Sequence, residues 1–170
     1  MNSSNPDLFE LVDCFEPIER DTALDPTTLE RLTALCAGEL SAAQTYQQVL
    51  TVPAVSRHVG VLSRCYASHR SRAVALMERV AAFEGVVPRA PGVWAPMKAI
   101  LSTPVPIASE RVVIDFLDQA ESEWLRNYQD EMHSLSPSDF EFLSNRVVPA
   151  QEATREAVGD LKRQLRLYSV

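Results

Sequence analysis

Apolar and small residues recur at alternating spacings of three and four along four stretches of the chain, as in helices that pack in a bundle. In the first stretch, Asp25 is a good N-cap and Pro26 suits the first helical position. Its inward stripe comprises Leu29, Leu32, Cys36, Ala43, Tyr46 and Leu50. Only Glu39 interrupts this stripe. The pattern therefore predicts a long helix with one carboxylate on its inward face.

The second stretch runs from about Pro53 to Glu84 and carries polar residues within its stripe. The stripe comprises Val55, Val59, Leu62, Tyr66, His69, Ala73, Leu76, Val80 and Phe83. Tyr66 and His69 are therefore expected to face into the bundle. This helix is basic, because it carries the five arginines Arg57, Arg64, Arg70, Arg72 and Arg79. We expect them to lie on a solvent-exposed face and to pair with acidic segments.

The third stretch begins near Ser109 and ends near Leu135. Its clearest stripe comprises Ile114, Leu117, Glu121, Trp124, Tyr128 and Met132. A neighbouring register through Val113, Ala120 and Trp124 fits nearly as well. As in the first helix, one carboxylate, that of Glu121, interrupts the apolar face.

The fourth stretch opens with strong helix-start signals. Ser136 is suited to the N-cap, Pro137 to the first helical position, and Asp139 to a capping box. The stripe comprises Phe140, Leu143, Val147, Ala150, Thr154, Val158, Leu161, Leu165 and Tyr168. Because proline lacks the backbone N–H that a helix interior needs, Pro149 is expected to kink this helix or split it in two.

Connection lengths predict the arrangement of the four helices. The first and last pairs have short connections, so each pair is expected to form an antiparallel hairpin. The segment at about residues 85–108 is long enough to cross the whole bundle, which makes the middle two helices parallel. The predicted fold is thus an all-α four-helix bundle over residues 25–170, preceded by an amphipathic arm over residues 1–24.

The N-terminal arm has one apolar helical face, formed by Leu8, Leu11, Val12, Phe15 and Ile18. This face is expected to lie across its own bundle or across a neighbour in a dimer. A role at a membrane surface is disfavoured because the polar residues of the arm are acidic.

Composition narrows the functional classes. A formal net charge of −7 argues against a nucleic-acid partner, and no apolar run is long enough to span a bilayer. The N-terminus lacks the pattern of a secretory signal. Three cysteines, Cys14, Cys36 and Cys65, suit a reducing cytoplasm better than a disulfide framework.

Polar stripe residues fall near the middle of each predicted helix, so they are expected to meet in one layer. These are Glu39, His69, Glu121 and the region from Gln151 to Thr154. A buried carboxylate needs a proton, a hydrogen-bonding partner or a metal. One hypothesis is therefore a set of acids that are neutral or hydrogen-bonded to Tyr46, Tyr66, Tyr128 or Gln151. The other is ligation of one ion of Fe, Mn or Zn by Glu39, His69 and Glu121.

Several segments resemble a bacterial ferritin-like domain family of unknown function within the ferritin-like superfamily. The resemblance covers about residues 26–167 and rests on His69 and on three segments: "LCAGELSAAQTYQQVL", "EGVVPRAPGVWAPMKAIL" and "DQAESEWLRNYQDEMHSLSP". It implies a di-metal centre in which Glu39 and Glu121 are the single-carboxylate ligands and His69 is the histidine of the second helix.

The chain departs from that family's ligand pattern. Tyr66 stands where a bridging glutamate is usual, and Gln151 and Thr154 replace a glutamate and a histidine. Only three of the six usual ligands therefore remain. Tyr46, Tyr66, Tyr128, Gln151 and Thr154 are expected to surround them.

The leading functional hypothesis is a cytoplasmic ferritin-like protein with a degenerate metal centre that is not catalytic and acts by binding or assembly. A homodimer, or a protein partner bound through the N-terminal arm, is expected, with no nucleic acid and no membrane. One alternative is a metal-dependent Fe or Mn oxidoreductase, or an iron-handling protein, that uses Glu39, His69 and Glu121. The second alternative is a helical adaptor with no metal.

Overall fold

The computed structural model describes residues 26–83, 85–86 and 109–167, which are almost entirely helical and contain no β-strand. Three long helices are α1 (Pro26–Val49), α2 (Val59–Ala82) and α3 (Glu110–Met132). The fourth consists of α4 (Pro137–Phe142), a π-helical turn (Leu143–Val147) and α5 (Val148–Leu167). The all-α prediction with four long helices is confirmed. The N-terminal arm, most of the expected crossover (87–108) and Tyr168 lie outside the described residues.

Ion pairs at the helix ends define the directions of the helices. Arg57, in the 3₁₀ turn Pro53–His58 that leads into α2, pairs with Glu110 at the start of α3. Arg31 near the start of α1 pairs with Glu131 near the end of α3. Arg79 near the end of α2 pairs with Asp139 at the start of α4. Helices α2 and α3 therefore begin at one end of the bundle, and α1 and α4 begin at the other.

The fourth helix starts and breaks where its sequence predicts. The Ser136 hydroxyl accepts a hydrogen bond from the backbone N–H of Asp139 at 3.2 Å, as an N-cap does. Just before Pro149, the N–H of Val148 bonds to the carbonyl of Leu143, five residues back. This π-helical turn interrupts the regular α-helix ahead of the proline, so the predicted split is confirmed.

Two apolar clusters form the core, and the polar layer separates them along every helix. One cluster contains Tyr46, Leu62, Ile114 and Val158, and the other contains Leu32, Leu76, Tyr128 and Val147. Glu39 lies between the two clusters in α1, His69 in α2, Glu121 in α3 and Gln151 in α5. Since all four helices cross from one cluster to the other at these residues, the polar side chains occupy one depth of the bundle.

Two residues predicted to face inward are exposed instead. Val59 is 52 % exposed and Phe140 is 47 % exposed. At the start of α2 the 3₁₀ turn buries Val55 and changes the helical phase, which turns Val59 outward. At the start of α4 the fully buried residue is Asp139, which binds Arg79, so its neighbour Phe140 faces solvent.

The prediction of a solvated face for the α2 arginines is wrong for Arg72, which is only 2 % exposed. The inward positions of this helix follow Leu62, Cys65, His69, Arg72 and Leu76, with spacings of three and four. Cys65 thus takes the buried position predicted for Tyr66, which is half-buried.

None of the described helices has the length and apolar character needed to cross a membrane.

A close approach of α1 and α3 leads to a stability prediction. A Cβ atom at Gly38 would lie 1.9 Å from Cη2 of Trp124, so the indole ring packs directly on the glycine. We expect Gly38→Ala to lower the free energy of unfolding by about 1–3 kcal/mol, because the ring must move. Urea unfolding followed by circular dichroism measures this change.

Gly159→Ala provides the matched control, because its Cβ would meet its nearest neighbour, Arg163, at an ordinary 3.4 Å. An alanine in the middle of α5 is expected to raise the free energy of unfolding by about 0.5–1 kcal/mol. Equal effects of the two substitutions would contradict the close packing of Trp124 on Gly38.

Candidate functional site

The polar layer brings together side chains from all four long helices. Glu39 and His69 are fully buried, and Glu121 is nearly so. The imidazole of His69 lies between the two carboxylates: Nδ1 is 2.7 Å from Glu39 Oε2, and Nε2 is 3.0 Å from Glu121 Oε1. The three residues singled out in the sequence therefore form one continuous chain of contacts.

Glu39 is held by four side chains. Its Oε1 accepts hydrogen bonds from Arg72 Nε at 2.9 Å, Trp124 Nε1 at 2.8 Å and the Tyr128 hydroxyl at 2.5 Å. Its Oε2 faces His69. Burial opposes ionisation of this carboxyl, but the positive His69 and Arg72 outweigh burial and lower the pKa of Glu39 to about 2. Glu39 is therefore a carboxylate at neutral pH.

Glu121 is the second carboxylate of the layer. Its Oε1 accepts a hydrogen bond from the Tyr46 hydroxyl at 2.7 Å and also faces His69. Its Oε2 accepts a hydrogen bond from the side-chain amide of Gln151 at 2.8 Å. Both oxygens of this carboxylate are thus occupied by donors from α1, α2 and α5.

Arg72 is the residue that connects the layer to α5. Besides Glu39, its guanidinium donates to Ser68 Oγ at 2.7 Å, to Gln151 Oε1 at 2.7 Å and to Thr154 Oγ1 at 3.2 Å. Gln151 therefore uses both ends of its amide, since the carbonyl accepts from Arg72 while the NH₂ group donates to Glu121. An ionised glutamate could not bridge the two groups in this way, because a carboxylate only accepts hydrogen bonds.

The protonation of His69 follows from its neighbours. Nδ1 lies 2.7 Å from both Glu39 Oε2 and Arg72 Nη2, and one nitrogen cannot donate and accept at the same time. Burial lowers the pKa of His69, but the carboxylates of Glu39 and Glu121 outweigh it and raise that pKa above 6.5. We therefore assign the imidazolium form, in which Nδ1 donates to Glu39 and Nε2 donates to Glu121.

The charges of this cluster balance. Two acidic side chains, Glu39 and Glu121, face two basic ones, His69 and Arg72. Burial and the adjacent carboxylates raise the pKa of both Tyr46 and Tyr128, so these phenols stay protonated and act as donors. The cluster is thus an electrically neutral network whose positive charge comes from the protein itself.

Two buried thiols flank the cluster, and that of Cys65 is hydrogen-bonded to the Tyr46 side chain. Cys36 and Cys65 are free, as predicted. Burial, followed by the nearby carboxylates, raises the pKa of each thiol to about 11. Both are therefore protonated at neutral pH and behave as small apolar side chains.

The donor atoms of the layer are not arranged around a common point. Within the described ranges, no group of three or more His, Cys, Asp or Glu side chains is placed to hold a metal ion. A histidine ligand needs a free nitrogen lone pair, whereas both nitrogens of His69 contact carboxylates. In this arrangement the cluster does not fit the implied metal centre, and metal ligation by these residues stays a hypothesis for experiment.

Four of the five residues expected around the ligands contact the polar layer. Tyr46, Tyr128, Gln151 and Thr154 all bond to Glu39, Glu121 or Arg72. Tyr66 does not: its hydroxyl accepts a hydrogen bond from Arg70 at 3.2 Å on the outer side of α2.

Sequence reasoning missed Arg72 and the polar role of Trp124. The spacing of α2 contained a signal for Arg72, because it lies three residues after His69 and therefore shares its inward face. The basic character of the helix favoured a solvated face for all five arginines and so concealed this periodicity. Trp124 was predicted to be inward, but its indole N–H finds Glu39 only because α1 and α3 approach closely at Gly38.

Comparison with known proteins identifies no relative: no protein-family model, curated protein or solved structure matches this chain.

The buried guanidinium leads to a second stability prediction. Arg72→Met removes the cation but keeps most of the side-chain volume, and leaves Glu39 with one positive partner instead of two. We expect the free energy of unfolding at neutral pH to fall by about 3–5 kcal/mol, as when one member of a buried ion pair is removed. Urea unfolding measures the change. Arg64→Met, at an exposed position of the same helix, is the control and is expected to change it by less than about 0.5 kcal/mol. Equal effects would show that Arg72 is not part of a buried charge network.

The charge of His69 can be tested by nuclear magnetic resonance. With ¹⁵N-labelled protein, both ring nitrogens of His69 are expected to show imidazolium shifts at neutral pH. A raised pKa means that the stabilisation by this group is complete below about pH 6.5 and is lost as the pH rises through its folded-state pKa. The free energy of unfolding should therefore decrease as the pH rises above about 6.5. A neutral ring at pH 7, with Nδ1 accepting from Arg72, would contradict the assignment.

Proposed function

We propose that the protein is a ferritin-like bundle whose metal centre has been replaced by a hydrogen-bonded charge network, and that it acts by binding or assembly rather than by catalysis. The observation that carries this proposal is the buried Arg72 guanidinium, which contacts Glu39, Gln151 and Thr154 in the layer where the family resemblance implies metal. A fixed cation therefore supplies the positive charge that metal ions supply in related centres.

The topology is compatible with this proposal. Helices α2 and α3 begin at the same end of the bundle, since Arg57 pairs with Glu110. The two helices therefore run in the same direction, as the middle two helices do in ferritin-like proteins with one long crossover, and this supports the proposal.

The chemistry of the layer argues against oxygen activation. Di-metal oxidases need carboxylates that bridge two metal ions, and position 66 offers a phenol on the outer side of α2 instead. Gln151 and Thr154 carry no charge, and each has a partner within the network. Among the buried side chains that the structure describes, the polar atoms without a hydrogen-bond partner are Gln48 Oε1 and Ser144 Oγ, and neither residue belongs to the cluster. The network thus has no unpaired donor or acceptor aimed at a substrate.

What the protein binds follows from its surface rather than from its centre. The expected homodimer, and a partner engaged through the N-terminal arm, remain part of this proposal. If the protein binds no metal, it is a helical adaptor in which the bundle acts as a rigid support for such contacts.

Metal analysis tests the proposal directly. Protein purified without chelators, and protein dialysed against Fe²⁺, Mn²⁺ or Zn²⁺, is expected to retain no stoichiometric metal, because His69 and both carboxylates are already occupied. Elemental analysis by mass spectrometry gives the metal content per chain.

Glu39→Ala and His69→Ala are the comparison variants. If wild type holds about one ion per chain and both variants lose it, the network proposal is wrong. In that case the alternative of an Fe or Mn oxidoreductase, or an iron-handling protein, that uses Glu39, His69 and Glu121 becomes the better one. Metal that stays in both variants is bound elsewhere and leaves the network assignment intact.

A further inference from the structure

A shallow groove runs along the outer face of the α1–α2 pair, on the side away from α3 and α5. It has a volume of about 420 Å³ and lies in the size range of sites that take a side-chain cluster or a small ligand. Its apolar floor and walls are formed by Leu40, Ala43, Tyr66, Ala73, Val74 and Met77. Val74 is 48 % exposed, so it leaves apolar surface uncovered in the groove.

The polar lining of the groove is neutral or positive. Gln44, Gln47 and Arg70 are its remaining residues, so the described lining contains no carboxylate. The guanidinium of Arg70 stands over the Tyr66 ring and donates to its hydroxyl. An occupant with an apolar face and an acidic border would therefore find apolar contact below and one cation at the edge.

The N-terminal segment of this chain has that chemistry. Leu8, Leu11, Val12, Phe15 and Ile18 form its apolar helical face. Residues 1–24 contain six acidic residues and one basic residue, Arg20. The acidic residues are Asp7, Glu10, Asp13, Glu16, Glu19 and Asp21.

The length of the chain before α1 allows this segment to reach the groove of its own bundle. Since Glu39 faces His69 and the two helices are antiparallel, Met77 lies level with about Arg31 of α1, about 8 Å along α1 from Pro26. The seven residues 19–25 span up to about 23 Å when extended, so Ile18 can reach this end of the groove. From there residues 8–18 would extend about 15 Å as a helix, close to the length of about 17 Å over which the groove runs from Met77 to Tyr66.

We infer that residues 8–18 dock in the α1–α2 groove of the same chain, antiparallel to α1, as an amphipathic helix that ends before Pro17. Phe15 and the leucines cover Val74 and its apolar neighbours, and the acidic border faces Arg70. The inference goes beyond the proposed function, because it concerns the outer face of the α1–α2 pair and holds whether or not the central layer binds metal.

Hydrogen exchange followed by mass spectrometry on the full-length protein tests this docking. In wild type, the amides of residues 8–18 are expected to exchange about tenfold or more slowly than in an unstructured peptide. Val74→Glu places a charge in the groove, and the exchange of this segment is expected to rise to within about twofold of the unstructured rate. Arg70→Glu is expected to give an intermediate effect, and Arg70→Lys to retain the protection.

Val59→Glu is the matched control, since Val59 is an equally exposed valine of α2 that does not line the groove. In this variant, the protection of residues 8–18 against hydrogen exchange is expected to equal that in wild type. Circular dichroism checks that all variants retain the helical content of the bundle. We expect them to do so, because the substituted side chains are not buried.

Three outcomes would overturn the inference. The first is the absence of protection in residues 8–18 of wild type. The second is protection that Val74→Glu leaves intact, or that it removes from residues 87–108 instead, which would make the crossover the occupant. The third is protection that disappears on dilution together with a change from dimer to monomer in light scattering, since the arm would then occupy the groove of a second copy.

Discussion

The buried Glu39 carboxylate is the constraint on which the rest of the structure depends. An ionised carboxylate in an apolar core is strongly unfavourable unless its charge is compensated and its lone pairs are filled. Arg72, Trp124, Tyr128 and His69 supply these contacts from α2 and α3. Each of these donors fixes the rotation and the height of its own helix relative to α1. The polar layer therefore sets the register of the bundle, while the two apolar clusters on either side provide most of the buried area.

The network extends this constraint to α5. Gln151 joins Arg72 to Glu121, and Thr154 accepts from the same guanidinium. The π-helical turn at Leu143–Val147 lies just before this contact, so the irregularity that accommodates Pro149 falls next to the polar layer. A guanidinium is a permanent cation with a fixed planar set of donors, whereas a bound metal exchanges with solvent and depends on ligand protonation. A bundle built around Arg72 thus holds its central positive charge in one geometry, which is consistent with the proposed function in binding or assembly.

The inner and outer faces of the α1–α2 pair have different roles in the structure. On the inner face, His69 and Arg72 are buried in the polar layer; on the outer face, Tyr66, Arg70 and Val74 line the groove. These five residues alternate along less than three turns of α2, so a single helix serves both surfaces. An acidic apolar segment that fills the groove would pack against the opposite side of the helix that holds the charge network. The arginines of α2 would then have two separate structural roles, in the buried charge network and at the groove, instead of forming one solvent-exposed face.

The sequence by itself determined the helical elements, the N-cap at Ser136 and most residues of the polar layer, because these depend on local signals. Ser136, Pro149 and the stripe of α3 could be read from spacing and from the backbone chemistry of single residues. It also singled out Glu39, His69 and Glu121 as inward polar residues. Only the tertiary structure decided how those groups are satisfied, since a periodic pattern gives the face of a residue but not its partner. The burial of Arg72, the indole contact at Glu39 and the outward turns of Val59 and Phe140 all depend on how closely neighbouring helices approach and on small changes of helical phase, which no single stretch of sequence specifies.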